Sequence, residues 1–494
     1  MKKIVFIILI FSIISIQVKT QTKITLNLDK CIELATSNSL EAFKAQNLYL
    51  SSYWEYRSFK AGRLPSVNLQ VTPIQYNSNF IKRYDYNENI EVYRQQQSIY
   101  SSGGLSVNQN FDLTGGTFTL ETSLDYMKNF GDNDYSQFSS VPVRIGYSQS
   151  LFGFNSFKWE KKIEPLKYEK AKQQYIYSRE NISEKTVQYF FSLAMTQEEY
   201  TLAIENVSSA DSLYIAGKAK DKISAISQSD LQTLHLDLIN AQNSQETASI
   251  NLEKTSFTLL SFLGMDKEQK IHIELPQKPN YTYISLEEAL QYTKNNNPDI
   301  LSYRQQILQA EKEVDQARKS SSFDANISAS VGFNQIGDNF GDAYSNPLRQ
   351  DIIRVGITIP ILDWGVRKGR VNMAKNNLNI TQLTVHQNEE NLEQEVLISV
   401  REFNLYQDLI VRAKQAMEIA NSAYNITKQR FILGKADVNS ITISLSRKME
   451  AQRNYITTLF NYWVSYYKIR KLTLFDFERQ ESLTVQFDKL LNVK

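Results

Sequence analysis

Residues 28–42 read LDKCIELATSNSLEA, and residues 286–300 read LEEALQYTKNNNPDI, which repeats the same helical pattern. A longer repeat follows, because residues 151–262 align without a gap with residues 361–472. Identical pairs in this alignment include Glu180 and Glu390, Asn181 and Asn391, Ala210 and Ala420, Ser212 and Ser422, Tyr214 and Tyr424, and Ala241-Gln242 and Ala451-Gln452. A duplication of this size is typical of a chain that builds an extended architecture and is not typical of a single enzyme pocket.

The N-terminus has the pattern of a secretory signal peptide. Lys2 and Lys3 precede an uncharged apolar run at residues 4–16, and a polar stretch follows. About 13 apolar residues are too few to span a bilayer and suit the core of a signal sequence. A buried core helix is the alternative, but the run has no amphipathic period. We therefore expect a mature chain that begins near Gln21.

Composition argues against several classes of protein. After the signal peptide, no stretch of about 18 apolar residues occurs, so we expect no transmembrane helix. The formal net charge is +2 and the charged residues are interspersed, which disfavours nucleic-acid binding. The single cysteine, Cys31, excludes an intrachain disulfide. We expect Cys31 to be a small buried residue, since its repeat partner is Ala289 and the preceding Asp29 and Lys30 do not fit a lipidation signal.

No catalytic or metal-binding motif is present in the sequence. His235, His272 and His386 are far apart and lack the spacing of metal ligands. The sequence has no phosphate-binding loop, nucleophile elbow or Cys/His pair. We therefore expect neither an enzyme nor a bound cofactor.

Between the helical segments of each copy, the apolar period changes from 3.6 to 2. Alternating apolar residues occur at residues 67–71, 118–126, 143–147, 325–333 and 353–359. Alternation over about nine residues suits a soluble sandwich or an outer-membrane barrel, and the signal peptide favours the barrel. The pattern fits four strands in the first block and two in the second, and a two-plus-two layout is the alternative.

Polar segments separate these predicted strands. Residues 77–101, 128–140 and 335–349 are therefore candidate extracellular loops. The first block also contains the tight-turn signal Asp112-Leu113-Thr114-Gly115-Gly116.

The remaining segments predict unusually long helices. Residues 156–218 and 366–433 contain almost no helix breaker, and at 1.5 Å per residue each helix spans roughly 95–100 Å. Helices of this length need partners along their whole length, which indicates coiled-coil packing. Each helix reverses at a short tip, at residues 221–226 in the first copy and 431–436 in the second.

Several short motifs occur in a fixed order along the chain. They are Leu28, Cys31, Ile32, Ala35 and Asn38, their counterparts Leu286, Ala289, Leu290 and Asn296, the segments Ala61–Pro65, Ser150–Phe152 and Pro360–Gly365, then Arg430, Phe431, Gly434 and Ala451-Gln452. Duplicated in this order after a signal peptide, they resemble the TolC-like outer-membrane efflux family over nearly the whole mature chain.

The resemblance implies a fold, a location and partners. The fold is an α+β membrane protein in which a duplicated helix–strand–helix unit forms a trimeric transmembrane β-barrel, continuous with a long periplasmic α-helical coiled-coil tube. The function is that of an exit duct in the outer membrane of a Gram-negative bacterium, within a tripartite efflux or type I secretion system. The implied partners are a homotrimer, outer-membrane lipid, a periplasmic adaptor (membrane fusion) protein and an inner-membrane pump of the RND, ABC or MFS type.

The resemblance also divides the chain into segments, while the cargo stays open among drugs, metals and proteins. The segments are a signal peptide (1–20), a leading helix (21–63), a barrel insert (64–152), a long helical hairpin (153–263), an equatorial linker (264–284), a second leading helix (285–320), a second insert (321–364), a second hairpin (365–472) and an equatorial tail (473–494). The alternative function is a trimeric coiled-coil surface adhesin, against which the two strand blocks argue.

A gate at the periplasmic end is a further implication of the resemblance. Asp230 falls on an acidic gate position of the first repeat, whereas the second-repeat positions carry Ser440 and Ile443. The tyrosine and arginine of the family's latch fall on Phe431 and Ala436. An acidic ring would therefore rest on Asp230 alone, and the alternative is a solvated carboxylate on a helix face.

The helix tips are the second candidate site that the resemblance implies. The family meets its adaptor hairpins at the positions of Ile223, Ser224, Ala225, Leu433, Gly434 and Lys435. Small residues there permit the close approach of another helix tip.

Overall fold

The structure, a computed structural model, describes residues 24–131, 134–222, 226–276, 281–485 and 487. The predicted signal peptide lies outside these ranges. The chain forms two compact units. The helical unit comprises the described chain up to Tyr49, Gln173–Asn297 and the described chain from Asn391, whereas the sheet unit comprises Leu50–Lys172 and Pro298–Glu390.

Helices and strands alternate in two similar series. In chain order the elements are β1 (Ile24–Leu26), α1 (Leu28–Asn38), α2 (Leu40–Ala61), β2 (Ser66–Asp85), β3 (Ile90–Phe111), β4 (Gly116–Phe130), β5 (Tyr135–Ser150), α3 (Ser156–Asp221), α4 (Gln228–Leu263), β6 (Ile271–Ile273), α5 (Leu286–Asn296), α6 (Pro298–Ser320), β7 (Asp324–Gly337), α7 (Asp342–Ser345), β8 (Leu348–Thr358), α8 (Val366–Ile432), α9 (Val438–Thr473), β9 (Phe475–Asp476) and β10 (Glu481–Ser482).

The long helices are continuous, as the sequence predicts, with 66 residues in α3 and 67 in α8. Each predicted leading helix is instead a pair of helices, broken at Ser39 and at Asn297. Ser39 starts α2 as a cap, because its Oγ accepts a hydrogen bond from Ala42 N at 3.1 Å. Asn297 precedes Pro298, and a proline disfavours helical backbone in the residue before it. Among the described helices, none is both long and apolar enough to cross a bilayer.

The described strands of the sheet unit form one antiparallel sheet in the order β2-β3-β4-β5-β7-β8. Four of these six strands come from the first block and two from the second. The structure therefore selects the four-plus-two layout over the two-plus-two alternative.

The predicted loop at residues 77–101 is wrong. β2 continues to Asp85 and β3 begins at Ile90, so that only residues 86–89 turn. Polar residues such as Asn79 and Gln96 pair with each other in this hairpin and remove the alternation by which a strand is recognised. The other two predicted loops are also shorter, because β4 ends at Phe130, β5 begins at Tyr135, and the helix α7 lies between β7 and β8.

The strand register collects the alternating apolar side chains on one face of the sheet. Leu69 lies opposite Leu105, Leu120 opposite Ile145, and Ile327 opposite Val355. Exposed members of this apolar face are Val67, Leu69, Val71, Leu105, Phe118, Leu120, Val143, Ile145, Val331, Phe333, Ile353, Val355 and Ile357. An exposed apolar surface that spans a whole sheet is typical of a face that meets lipid or a partner.

The opposite face of the sheet is polar and carries many small side chains. It includes Asn68, Gln70, Ser102, Gly104, Ser106, Asn108, Thr117, Thr119, Ser123, Gly146, Ser148, Ser328, Ser330, Gly332 and Gly356. Its charged residues include Arg144, which donates to Glu121 at 2.8 Å and to Gln350 at 3.0 Å. This face is suited to water.

Aromatic packing and ion pairs hold the helical unit together. Phe403 packs on Tyr462 and Tyr466, with ring centres 5.1 and 5.9 Å away, and all three side chains are fully buried. Ion pairs connect α9 to α3, as between Lys448 and Glu205 at 2.8 Å and between Arg453 and Glu199 at 3.1 Å. The long helices therefore have lateral partners, as helices of this length require.

Candidate functional site

The tip between α8 and α9 is closed by a glycine in the left-handed conformation. Gly434 has a φ of +71°, its N–H donates to Phe431 O at 3.0 Å, and Lys435 N–H donates to Arg430 O at 2.8 Å. These are the two hydrogen bonds of a Schellman motif. A Cβ at Gly434 would meet no atom within 4 Å, and Leu433 is 70% exposed. The tip is thus an open surface that another helix tip can reach.

The corresponding residues of the first tip, Ile223, Ser224 and Ala225, lie outside the described residues. On one side of them, Asp221 ends α3, and its Oδ1 accepts a hydrogen bond from Gln228 Nε2 at 2.8 Å. The structure therefore places the helix ends on either side of this tip and leaves its docking role as a prediction.

The gate candidates Asp230 and Ser440 occupy the same helical position in the two repeats. Ser227 Oγ accepts from Asp230 N at 3.0 Å, and Asp437 Oδ1 accepts from Ser440 N at 2.8 Å. The first repeat therefore has a serine as the cap and an aspartate three residues later, whereas the second repeat has an aspartate as the cap and a serine three residues later. Asp230 is exposed in the first turn of α4, where the helix dipole favours a negative charge.

The other two gate candidates differ sharply in exposure. Ile443 is 43% exposed on α9, whereas Phe431 is only 2% exposed. Phe431 packs in a cluster with Tyr424 and Ile441, and Lys220 Nζ lies 4.7 Å from its ring centre. Phe431 is therefore a core residue of the tip, and its role in a gate stays a prediction. A sequence match to a latch position reports the place in the chain and says nothing of burial.

A polar groove that the sequence analysis did not single out runs between α3, α4 and α9. Its two adjoining cavities have volumes of about 590 and 560 Å³. The α4 side is lined by Asn240, Asn243, Ser244, Thr247 and Asn251. The last four lie three, four, seven and eleven positions after Asn240, a spacing that places all five on one face of the helix. An apolar stripe at this spacing predicts a core, whereas a polar one is easily read as a solvated surface.

Two carboxylates in the same groove are weaker acids than usual. Burial raises the pKa of Glu198, the neighbouring Glu205 raises it further, and Lys448 opposes the shift. Burial also raises the pKa of Asp237. Gln452 Nε2 donates to Glu198 Oε1 at 3.4 Å. The groove therefore carries polar groups that respond to pH and that can pair with a polar partner.

Cys31 is buried, as its repeat partner Ala289 led us to expect. Burial raises the pKa of its thiol to about 12, so that the thiol stays protonated and unreactive near neutral pH. Within the described ranges, no cluster of His, Cys, Asp and Glu is suited to a metal ion.

Comparison with known proteins supports the same fold. Residues 289–477 match the family model of outer membrane efflux proteins. The chain is similar to the Campylobacter jejuni CmeC outer membrane channel, with a TM-score of 0.64 at 16% identity over 90% of this chain and 85% of that chain. It is also similar to the outer membrane protein VceC from Vibrio cholerae, with a TM-score of 0.63 at 13% identity over 90% and 95% of the two chains.

A membrane protein from Pseudomonas aeruginosa has the same fold, with a TM-score of 0.64 at 14% identity over 90% of each chain. A search of curated sequences found no match. The matches confirm the resemblance predicted from the sequence and the α+β fold of duplicated helix–strand–helix units.

Proposed function

We propose that this chain, which has the fold of the outer-membrane efflux channels and matches their family over residues 289–477, is a passive exit duct in the outer membrane. The observation that carries the proposal is the two-faced sheet. Its exposed apolar face suits lipid, and its polar face suits a water-filled lumen. A soluble coiled-coil stalk has no use for such an apolar face.

The sheet requires several copies of the chain. In lipid, an open sheet edge leaves backbone N–H and C=O groups unpaired, so a membrane sheet must close into a barrel. The smallest such barrels have about eight strands, and one copy has six in its described part. The copies therefore share one barrel, and the resemblance sets their number at three.

The helices have a separate role in the periplasm. Segments 153–263 and 365–472 form the coiled-coil tube, while 64–152 and 321–364 form the barrel wall. A periplasmic adaptor docks at the tips, at Ile223, Ser224 and Ala225 and at Leu433, Gly434 and Lys435. An inner-membrane pump supplies the energy, in a tripartite efflux or type I secretion system. The open surface at Gly434 supports this docking site.

The gate is formed by the inner helices at the same end of the tube. Asp230 supplies one carboxylate per copy, and a trimer brings three of them around the pore axis. The exposure of Asp230 and Ile443 supports their access to a lumen. Phe431 remains a gate candidate that lies in the core of the tip and not at its surface.

To test the proposal, the full chain is expressed and its amount in the envelope fractions is measured. We expect a detergent-extracted trimer that migrates differently after heating and conducts ions in planar bilayers. Ile353→Arg, on the apolar face, is expected to reduce membrane assembly strongly, because an arginine at the bilayer centre costs about 2–4 kcal/mol. Ser328→Arg, on the polar face of the neighbouring strand β7, is the matched control and is expected to assemble.

A water-soluble monomer that never reaches the envelope would contradict the proposal. Equal assembly of the two arginine variants would contradict the assignment of the faces, even if the trimer formed.

A further inference from the structure

We infer that the β3–β4 hairpin is part of the barrel wall, so that three copies close a wide 18-stranded barrel through the edges of β2 and β8, with a lumen for polypeptide-sized cargo. The inference rests on the proposed function, which supplies the three copies. The number of strands is three times the six described in one copy.

Apolar pairs on one face of the sheet continue across this hairpin. Val107 on β3 lies opposite Val67 on β2 and opposite Leu120 on β4. Leu120 in turn lies opposite Ile145 on β5. If the hairpin folded into the lumen or out of the membrane, these apolar side chains would face water at a cost of about 25 cal/mol per Å². A single lipid-facing band over all six strands avoids that cost.

The turn between β3 and β4 is fixed where the chain enters and leaves the sheet. Arg63, just after α2, donates through Nε to Asp112 Oδ2 at 3.0 Å and through Nη2 to Phe157 O, in the first turn of α3, at 3.0 Å. Asn155, just before α3, donates through Nδ2 to Asp112 O at 3.0 Å. Asp112 is thus held from both sides, which a free flap would not need.

A glycine in the same turn permits the close approach to Asn155. Gly115 has a φ of +78°, and a Cβ there would lie 3.0 Å from Asn155 Cγ. The turn therefore packs against the segments that join α2 and α3 to the sheet. These contacts hold the β3–β4 hairpin at the same end of the sheet as the neighbouring strands.

The two edges of the described sheet match each other in direction. Successive neighbours in the order β2-β3-β4-β5-β7-β8 are antiparallel, so β2 and β8 run in opposite directions. β2 of one copy can therefore continue the antiparallel pattern on β8 of the next copy. This seam pairs the backbone groups that an isolated copy leaves open at both edges.

The width of such a barrel follows from strand geometry. With strands about 4.8 Å apart and tilted by about 40°, 18 strands give roughly 35 Å between backbones across the barrel. The lumen side is lined by small residues, among them Ser102, Gly104, Gly146, Ser328, Ser330 and Gly332. Because a helix with its side chains is about 10–12 Å wide, the lumen admits a helix or a helical hairpin.

Cysteine cross-links test the seam directly, in a Cys31→Ala background that copies the alanine of the repeat partner Ala289. One cysteine replaces Ile353 on β8, and the second replaces Val67, Leu69 or Val71 on β2. Oxidation is expected to yield covalent dimers and trimers. The control places the second cysteine on β4, at Phe118 or Leu120, and is expected to yield none.

A trimer in which β4 and not β2 cross-links to β8 would overturn the inference and leave the proposed function intact. A protein that is monomeric by light scattering and cross-links in neither design would overturn both.

Deletion of residues 90–130 tests the width. The deletion removes β3 and β4 and joins residue 89 directly to residue 131. Spin labels at Ile353→Cys in a trimer are expected about 30 Å apart in the full chain and about 20 Å apart in the deletion variant, from the same strand geometry. Replacement of residues 339–345 by a Gly/Ser linker is the control and is expected to leave the distance unchanged. Equal distances in the deletion variant and the full chain would place the hairpin outside the wall.

Polymer access tests the lumen. Polyethylene glycol added at the outer side is expected to enter the full-length barrel at sizes that the deletion variant excludes, and therefore to lower the conductance of the former only. The same size limit in both proteins would refute the wide lumen.

Discussion

The guanidinium of Arg470 forms a bidentate ion pair with the carboxylate of Glu180, with Nε 3.0 Å from Oε2 and Nη2 3.2 Å from Oε1. Its Nη1 donates to Asp476 Oδ2 at 2.8 Å, and the hydroxyl of Tyr466 donates to Asp476 Oδ1 at 2.7 Å. One buried side chain thus joins α9 to α3 and to the segment that follows α9. The repeat partner of Arg470 is Leu260, so the network marks a difference between the two copies.

Loss of this arginine is expected to destabilise the helical unit. Arg470→Ala leaves two largely buried carboxylates, Glu180 and Asp476, without their counter-charge, and breaking such a pair costs about 3–5 kcal/mol. Thermal unfolding followed by circular dichroism in detergent is the measurement. The control is Lys167→Ala, because Lys167 and Glu55 are both substantially exposed and such a pair contributes less than about 1 kcal/mol. Equal shifts in the two variants would contradict a stabilising network.

Gly434 and Gly369 permit a clean test of backbone conformation. A Cβ would meet no atom within 4 Å at either position, but only Gly434 has a positive φ, while Gly369 lies inside α8. Gly434→Ala is expected to destabilise the tip by about 1–2 kcal/mol, and Gly369→Ala to stabilise its helix by about 0.5–1 kcal/mol. Thermal unfolding should show the opposite signs, and shifts of the same sign would contradict this account.

Gly434→Asn separates tip stability from adaptor docking. Asparagine tolerates the left-handed conformation better than other side chains do, yet it adds bulk to an open surface. If an adaptor approaches closely there, this variant is expected to keep its unfolding temperature and to lose adaptor cross-linking and export. Unchanged cross-linking and export would remove the tip from the docking site.

Leu474 occupies the left-handed position where the first repeat has Gly264, with φ values of +48° and +69°. Its side chain is fully buried, so every truncation is expected to destabilise. Leu474→Gly is nevertheless expected to be about 1 kcal/mol more stable than Leu474→Ala, because only glycine removes the backbone strain. At Leu472, inside α9 and also buried, the Ala variant is expected to be the more stable one. The same order at both positions would show that Leu474 is not strained.

The architecture could be predicted from particular residues because lipid and helix packing impose strict periods. In the proposed barrel, the alternation at Ile353, Val355 and Ile357 is required where one face would meet lipid, and it ends where both faces would meet water. That ending explains why the hairpin around residues 86–89 was predicted as a loop. The scarcity of helix breakers in residues 156–218 likewise predicted α3 to within three residues.

The site residues were harder to predict, because a position in the chain does not reveal burial. Phe431 lies at a latch position of the family and is buried against Tyr424 and Ile441. The Asn, Ser and Thr stripe of α4 has the composition of a solvated surface, although it lines a groove against α3 and α9. The pairing of Arg470 with Glu180 joins residues 290 positions apart, which no local pattern reports.

The raised pKa of Glu198 predicts a pH dependence of stability. The folded state binds this proton more tightly than the unfolded state does. The protonated Glu198 therefore stabilises the fold fully below the ordinary pKa of 4.5, and this stabilisation is lost as pH rises through the raised pKa of the folded state. Glu198→Gln is expected to remove this loss, so that the variant gains unfolding temperature relative to the parent at neutral pH. Thermal unfolding at a series of pH values is the measurement.

Asp437 provides a control of opposite sign. Hydrogen bonds from the Ser440 side chain and amide hold the pKa of Asp437 below its ordinary value. The ionised Asp437 therefore stabilises the folded state above its ordinary pKa, and this stabilisation is lost as pH falls through the lowered pKa of the folded state. Asp437→Asn should reduce the fall in unfolding temperature at acidic pH. Identical plots of unfolding temperature against pH for Glu198→Gln and Asp437→Asn would refute the assigned directions of the two pKa shifts.

The exchange of Asp230 and Ser440 between the repeats gives the last prediction, a test of the gate. Rings of acidic side chains favour cations in a pore, so three Asp230 carboxylates should give the channel a cation preference. Asp230→Ser makes the first repeat resemble the second and is expected to move the reversal potential most of the way toward zero in a salt gradient. Ser440→Asp adds a second ring at the matching position and should move the reversal potential the other way. The helix-dipole contribution of Asp230 is only about 0.3–1 kcal/mol, so both variants are expected to remain trimeric. If neither substitution changes the reversal potential, Asp230 is a solvated carboxylate that serves the first turn of α4 and lies away from the ion path.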